Sequence, residues 1–156
     1  MIFLSLPVYA GEGRSAQELN RNGMASLENG DNESASLYFM RAIAVDPSNK
    51  YYLNNMAASL MRMGDYAGAE KFLLCAIEID RGYPRALSNM AVTLFHLGRY
   101  LESYSYYIRS LRSDSGYTES RFEKGRVEAA IKRLSRGRPQ DKNLKRILEY
   151  LDGDKR

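Results

Sequence analysis

Apolar and small residues recur along this chain at helical spacing, and the recurrences themselves repeat every 34 residues. Leu19, Leu53 and Leu87 form one series, and Gly23, Ala57, Ala91 and Gly125 another, four residues further on. A second set follows in each unit: Ala35, Ala69 and Ser103; Phe39, Leu73 and Tyr107; Ala42, Ala76 and Ser110; Ile43, Ile77 and Leu111. Spacings of three and four place each set on one face of a helix. Gly30, Gly64 and Gly98 stand between the two sets, and Asp46, Asp80 and Asp114 close each unit. The pattern predicts pairs of amphipathic helices joined by a glycine turn.

Residue size explains the arrangement. A helical hairpin needs small side chains where its helices approach closely, and the 23/57/91 and 35/69/103 series supply one on each helix. Large residues at 19/53/87 and 39/73/107 fill the space around them. Glycine accepts the left-handed backbone that ends a helix, so Gly30, Gly64 and Gly98 mark the ends of first helices. Asp31 and Asp65 can then cap the free N–H groups of the next helix. Pro47 and Pro84 sit where one unit gives way to the next, at places where a helix must stop or start.

A 34-residue unit with small residues at a helix crossing, a glycine at the inner turn and proline at the end resembles the tetratricopeptide repeat. The resemblance covers three units, 16–49, 50–83 and 84–117. It implies an all-α fold, a right-handed superhelical solenoid of helix hairpins. The first unit carries Asn22 and Ser26 where the others have Met56 and Met90, Leu60 and Leu94, as suits a terminal unit with one open side. The third has Ser115 in place of the terminal proline and Ser103 and Ser110 in place of alanine, read here as minor loosening. Beyond Tyr117 the period fades but Phe122, Val127, Ala130, Ile131 and Leu134 keep a helical stripe. Gly137-Arg138-Pro139 breaks the chain, and Leu144, Ile147, Leu148 and Leu151 follow Asp141. Residues 118–156 are therefore expected to cap the solenoid with a long helix at 118–135 and a final amphipathic helix at 141–152, about eight helices in all.

Stacked hairpins curve, and the first helix of each unit lines the concave face on which such solenoids bind partners. The resemblance places Asn20 and Met24 of the first unit there, Tyr51, Asn54, Asn55 and Arg62 of the second, and Arg85, Asn89 and Phe95 of the third. Each Asn side chain has a donor and an acceptor, so a ladder of Asn20, Asn54, Asn55 and Asn89 could hold the backbone of an extended peptide. Asparagine here also serves ordinary helix packing. Met24, Met61, Tyr51 and Phe95 could receive apolar side chains. Some members of the family hold a C-terminal carboxylate with a set of Lys, Arg and Asn. Asn55 and Arg85 fall on two of those positions, while Asn20, Met24 and Asn89 depart from the rest, so recognition of a chaperone C-terminus is not expected. Among the tyrosines of the third unit, Tyr100 and Tyr107 match core positions, and Tyr104 is the candidate for an exposed contact.

Charge changes the picture only at the C-terminal end. The chain has a net charge of +4. Residues 1–120 hold 11 basic and 13 acidic side chains, whereas 121–156 hold 12 and 6. The basic end reads as the solvated face of a cap, or as a surface for an acidic protein or an anionic membrane. Nucleic acid is disfavoured because aromatics are sparse among these charges. One cysteine, Cys75, rules out a multi-cysteine metal site, and one histidine, His96, leaves metal binding and histidine catalysis with almost no material. No phosphate-binding glycine loop or nucleophile–base pair is present, so neither catalysis nor a cofactor or metal is expected.

The segment Ile2–Val8 is apolar and ends in Val8-Tyr9-Ala10, small or aliphatic where signal peptidase needs them. Residues 1–10 read as the end of an export signal, lacking a basic start; they equally suit a loosely packed N-terminus. The expected function is a scaffold binding a partner segment on its concave face. The alternative is an exported factor for assembly of a pilus, secretion or other cell-envelope complex, and similarity to the tight-adherence pilus assembly family is generic to the repeat. The expected compartment is the periplasm or cell envelope, or the outside of the cell by secretion, if the segment exports the chain, otherwise the cytoplasm. Solenoid edges also permit self-association.

Overall fold

In the computed structural model, residues 15–122 and 124–153 are described. They form helices α1 (Ala16–Glu28), α2 (Asn32–Val45), α3 (Lys50–Arg62), α4 (Tyr66–Ile79), α5 (Pro84–His96), α6 (Tyr100–Ser113), α7 (Ser115–Arg121), α8 (Lys124–Gly137) and α9 (Lys142–Gly153). The first six pair as three hairpins, each packed on the next. The array is the right-handed α-α solenoid expected from the repeat. First helices of neighbouring units pack against one another more closely than second helices do, α1 on α3 and α3 on α5, which sets α1, α3 and α5 on the inside of the curve.

The turns follow from the residues at them. Gly30, Gly64 and Gly98 have φ of 81°, 81° and 76°, a conformation in which a side chain would be strained. Asp31 Oδ1 accepts from Ser34 N at 2.9 Å and Asp65 Oδ1 from Gly68 N at 2.8 Å, capping α2 and α4. Arg99 replaces aspartate before α6 and makes a bidentate pair with Glu102 while reaching Glu70 of α4. Core size is matched unit by unit. Gly23 faces Phe39 so closely that an added Cβ would lie 2.6 Å from the ring, whereas Ala57 is accommodated beside the smaller Leu73.

The third junction departs from the other two. Asp46 and Asp80 are each followed by three residues before the next helix, but Asp114 is at once the C-cap of α6 and the N-cap of α7. Its side chain accepts from Tyr117 N at 2.9 Å. Of the serines read as loosening, Ser115 is exposed, whereas Ser103 and Ser110 are buried and hydrogen-bonded. Ser110 Oγ lies 2.9 Å from Ser88 Oγ and 2.7 Å from Thr118 Oγ1, and Ser103 Oγ donates to the Ala91 carbonyl at 2.7 Å.

The cap also corrects the expectation of one helix over 118–135. The chain leaves the helical region at Phe122 (φ −125°, ψ 107°), so α7 ends there and α8 starts afresh. The Phe122 ring meets Tyr107 edge-on at 5.7 Å, a contact that a continuing helix would not place on the third unit in the same way. Nine helices are thus present among the described residues, rather than about eight. α9 is capped by Asp141, whose Oδ1 accepts from Asn143 N at 2.9 Å, and it packs back on α6. Ile131, Leu144, Ile147 and Leu151 make the cap's own core against Tyr100, Leu101 and Tyr104. Tyr104 is therefore half-buried under the cap, not the exposed contact expected of it.

Candidate binding groove

The amides named from the sequence divide into two kinds. Asn54 and Asn89 are buried, 5 % and 6 % exposed, and Asn89 Nδ2 donates to Asn54 Oδ1 at 2.9 Å. Arg121 Nη2 of α7 donates to Asn89 Oδ1 at 2.7 Å. This corrects their placement as open groove amides: a buried amide must find partners inside the fold, and these two find each other and Arg121. Asn55 Nδ2 donates to Asn20 Oδ1 at 2.9 Å, and Asn20 Nδ2 lies 3.8 Å from the Met24 sulfur. Asn20 and Asn55 are half-buried and remain at the surface of the groove. The amides therefore staple each first helix to the next, α1 to α3 to α5 to α7.

What the inner face leaves open is apolar and cationic. Met24 is 45 % exposed, Tyr51 54 % and Phe95 39 %. Tyr51 and Phe95 sit at opposite ends of the first-helix direction, and ten residues of helical rise separate those levels by about 15 Å. At the N-terminal level Tyr51 meets Tyr83 edge-on at 5.5 Å, and the Lys50 ammonium lies 5.2 Å and 5.1 Å from the two rings. Lys50 also pairs with Asp80, an ion pair that raises the lysine above its ordinary pKa and lowers the aspartate. Burial pushes the Tyr83 phenol up to about 12, with Arg85 opposing and Tyr51, Tyr117 and Asp80 reinforcing. Arg85 is exposed and stands 6.0 Å over the Tyr117 ring.

At the C-terminal level Arg62 Nη1 donates to the Leu27 carbonyl at the end of α1 at 2.6 Å. That bond satisfies one of the free carbonyls of the helix while the arginine remains exposed. Phe95 meets Tyr100 edge-on at 5.4 Å and His96 at 6.1 Å, and His96 stacks on Tyr66 at 4.2 Å. Beside Phe95 lies an apolar cavity of about 190 Å³, walled by Val92, Tyr107, Phe122, Ile131, Leu144 and Ile147 among others. The Tyr107 hydroxyl is buried without a hydrogen-bond partner among the described residues, and burial raises its pKa. Residue spacing alone does not reveal this cavity, because Phe122 and residues of α8 and α9, beyond the repeat period, complete its wall.

Cys75 is exposed on α4. Among the described residues no group of three or more His, Cys, Asp or Glu is placed to hold a metal, and no helix is long and apolar enough to cross a membrane. The segment 1–10 read as an export signal lies outside the described residues.

The chain shares its architecture with solved repeat domains. The first TPR of Spaghetti (RPAP3) bound to the HSP90 peptide SRMEEVD superposes with a TM-score of 0.69 at 23% identity, covering 77% of this chain and 95% of that one. The second TPR domain of human RPAP3 in complex with the HSP70 peptide SGPTIEEVD gives 0.62 at 26% identity, covering 65% and 84%. The Sgt2 TPR domain from Aspergillus fumigatus gives 0.63 at 20% identity, covering 72% and 82%. No curated protein matches the chain significantly in sequence. The family model of the coatomer epsilon subunit matches residues 25–151, so this tetratricopeptide-repeat chain belongs to the coatomer epsilon subunit family.

Proposed function

We propose that the concave face binds an extended segment of a partner protein carrying apolar anchors and acidic side chains. The observation that carries this is the division of the inner face. Its buried amides are satisfied internally, while Met24, Tyr51 and Phe95 stay exposed beside the cations Arg62 and Arg85. The two aromatic levels, about 15 Å apart, match about five residues of extended chain. The human RPAP3 domain, similar at 26% identity, holds a peptide with two glutamates and an aspartate. That likeness supports an acidic segment. It does not extend to a chaperone C-terminus, since Asn20 is engaged by Asn55 and Asn89 is buried.

Membership of a coat-subunit family supports a partner that is a fellow subunit of a larger assembly. The test is affinity capture from the native source with wild-type chain and with Tyr51→Ser/Arg85→Glu/Phe95→Ser. Capture should fall about tenfold or more while the helical circular-dichroism signal is unchanged. Equal capture by both would show that the partner binds elsewhere. For the compartment we propose export through residues 1–10; a mature chain starting at Gly11 supports it, and an intact Met1 in the cytoplasm refutes it.

A further inference from the structure

We propose that a cleft between α6 and α9, on the outer side of the third unit, binds an acidic amphipathic helix of a partner protein. This surface is separate from the groove. Leu101, Tyr104, Ile108 and Leu111 lie along one face of α6 at helical spacing. The cap covers the first two, which pack against its core. Ile108 and Leu111 are left on the floor of an open cleft of about 770 Å³. Two banks with an apolar floor between them suit a third helix laid alongside.

Charge identifies the occupant. Arg109 and Arg112 of α6 and Arg146 of α9 line the cleft, and none forms an ion pair among the described residues. Arg109 stacks on the Tyr106 ring at 4.7 Å. Glu149 is the acidic residue of the lining, so cations outnumber it. The repeat does not require these arginines: one unit earlier the positions matching Arg109 and Arg112 are Cys75 and Glu78. The floor is recessed between two helices, where a helix's side chains reach and a flat bilayer does not.

The probe is a synthetic helical peptide with leucine at i, i+3, i+4 and i+7 flanked by glutamate, followed by fluorescence anisotropy with the full chain. A glutamine-for-glutamate peptide and phosphatidylserine vesicles serve as comparisons. The expected result is saturable binding that weakens with salt and falls about tenfold or more in Arg109→Glu/Arg112→Glu/Arg146→Glu, with little binding of the glutamine peptide. Amide shifts of the bound chain should map to α6 and α9. The absence of saturable binding, equal binding by the variant, shifts confined to the concave face, or binding to vesicles instead of peptide each overturns the proposal.

Discussion

Asn89 donates its side-chain amide to Asn54 at 2.9 Å, across a separation of 35 residues, with both side chains buried between α3 and α5. Removing Asn54 leaves the Asn89 Nδ2 donor without its acceptor in the interior, while Asn89 Oδ1 keeps its bond from Arg121. Asn54→Ala should therefore cost about 1–3 kcal/mol of stability. Asn55→Ala breaks the corresponding bond to Asn20 at a half-buried site where water can substitute, and should cost under about 1 kcal/mol. Urea denaturation of the two variants checks the order; a larger loss for Asn55→Ala would contradict it.

Gly23 and Phe39 form a size-matched pair. A methyl group at Gly23 would lie 2.6 Å from the ring, so Gly23→Ala should destabilise the chain by about 1–3 kcal/mol. The second unit has Ala57 with Leu73, and transplanting that pair as Gly23→Ala/Phe39→Leu should recover part of the loss relative to the sum of the single changes. Strict additivity in thermal or urea melts would show that the two positions are not coupled.

Tyr83 gives a pH dependence with a definite sign. Its folded value of about 12 lies above the ordinary value of 10.0, so the folded chain keeps a phenolic proton that the unfolded chain releases. This contribution is full below pH 10.0 and is lost as pH rises towards 12, on the order of 2 kcal/mol. Tyr83→Phe should show a shallower alkaline loss of stability than the wild type. Identical slopes in denaturation series between neutral and alkaline pH would contradict the assignment.

The 34-residue recurrence made the three hairpins legible, because small-residue positions at a helix crossing admit few alternatives. The amides were legible as residues of the first helices but not as buried ones. Asparagine is common at surfaces, and only the offset that pairs Asn20 with Asn55 and Asn54 with Asn89 separates a staple from a row of open groups. The cap was less legible still. A helical stripe runs through Phe122, yet the chain turns there to place that ring on Tyr107. That choice depends on a surface 15 residues away in sequence and on no local breaker.

Site-specific photo-crosslinking in the native cell tests the groove as the binding surface most directly, with the reactive group placed in turn at Tyr51, at Phe95 and at the outer-face residue Leu37. Tyr51 and Phe95 are expected to give adducts with one partner segment, containing acidic and apolar residues, while Leu37 gives none. Adducts from Leu37 with none from the two groove positions would contradict binding on the concave face.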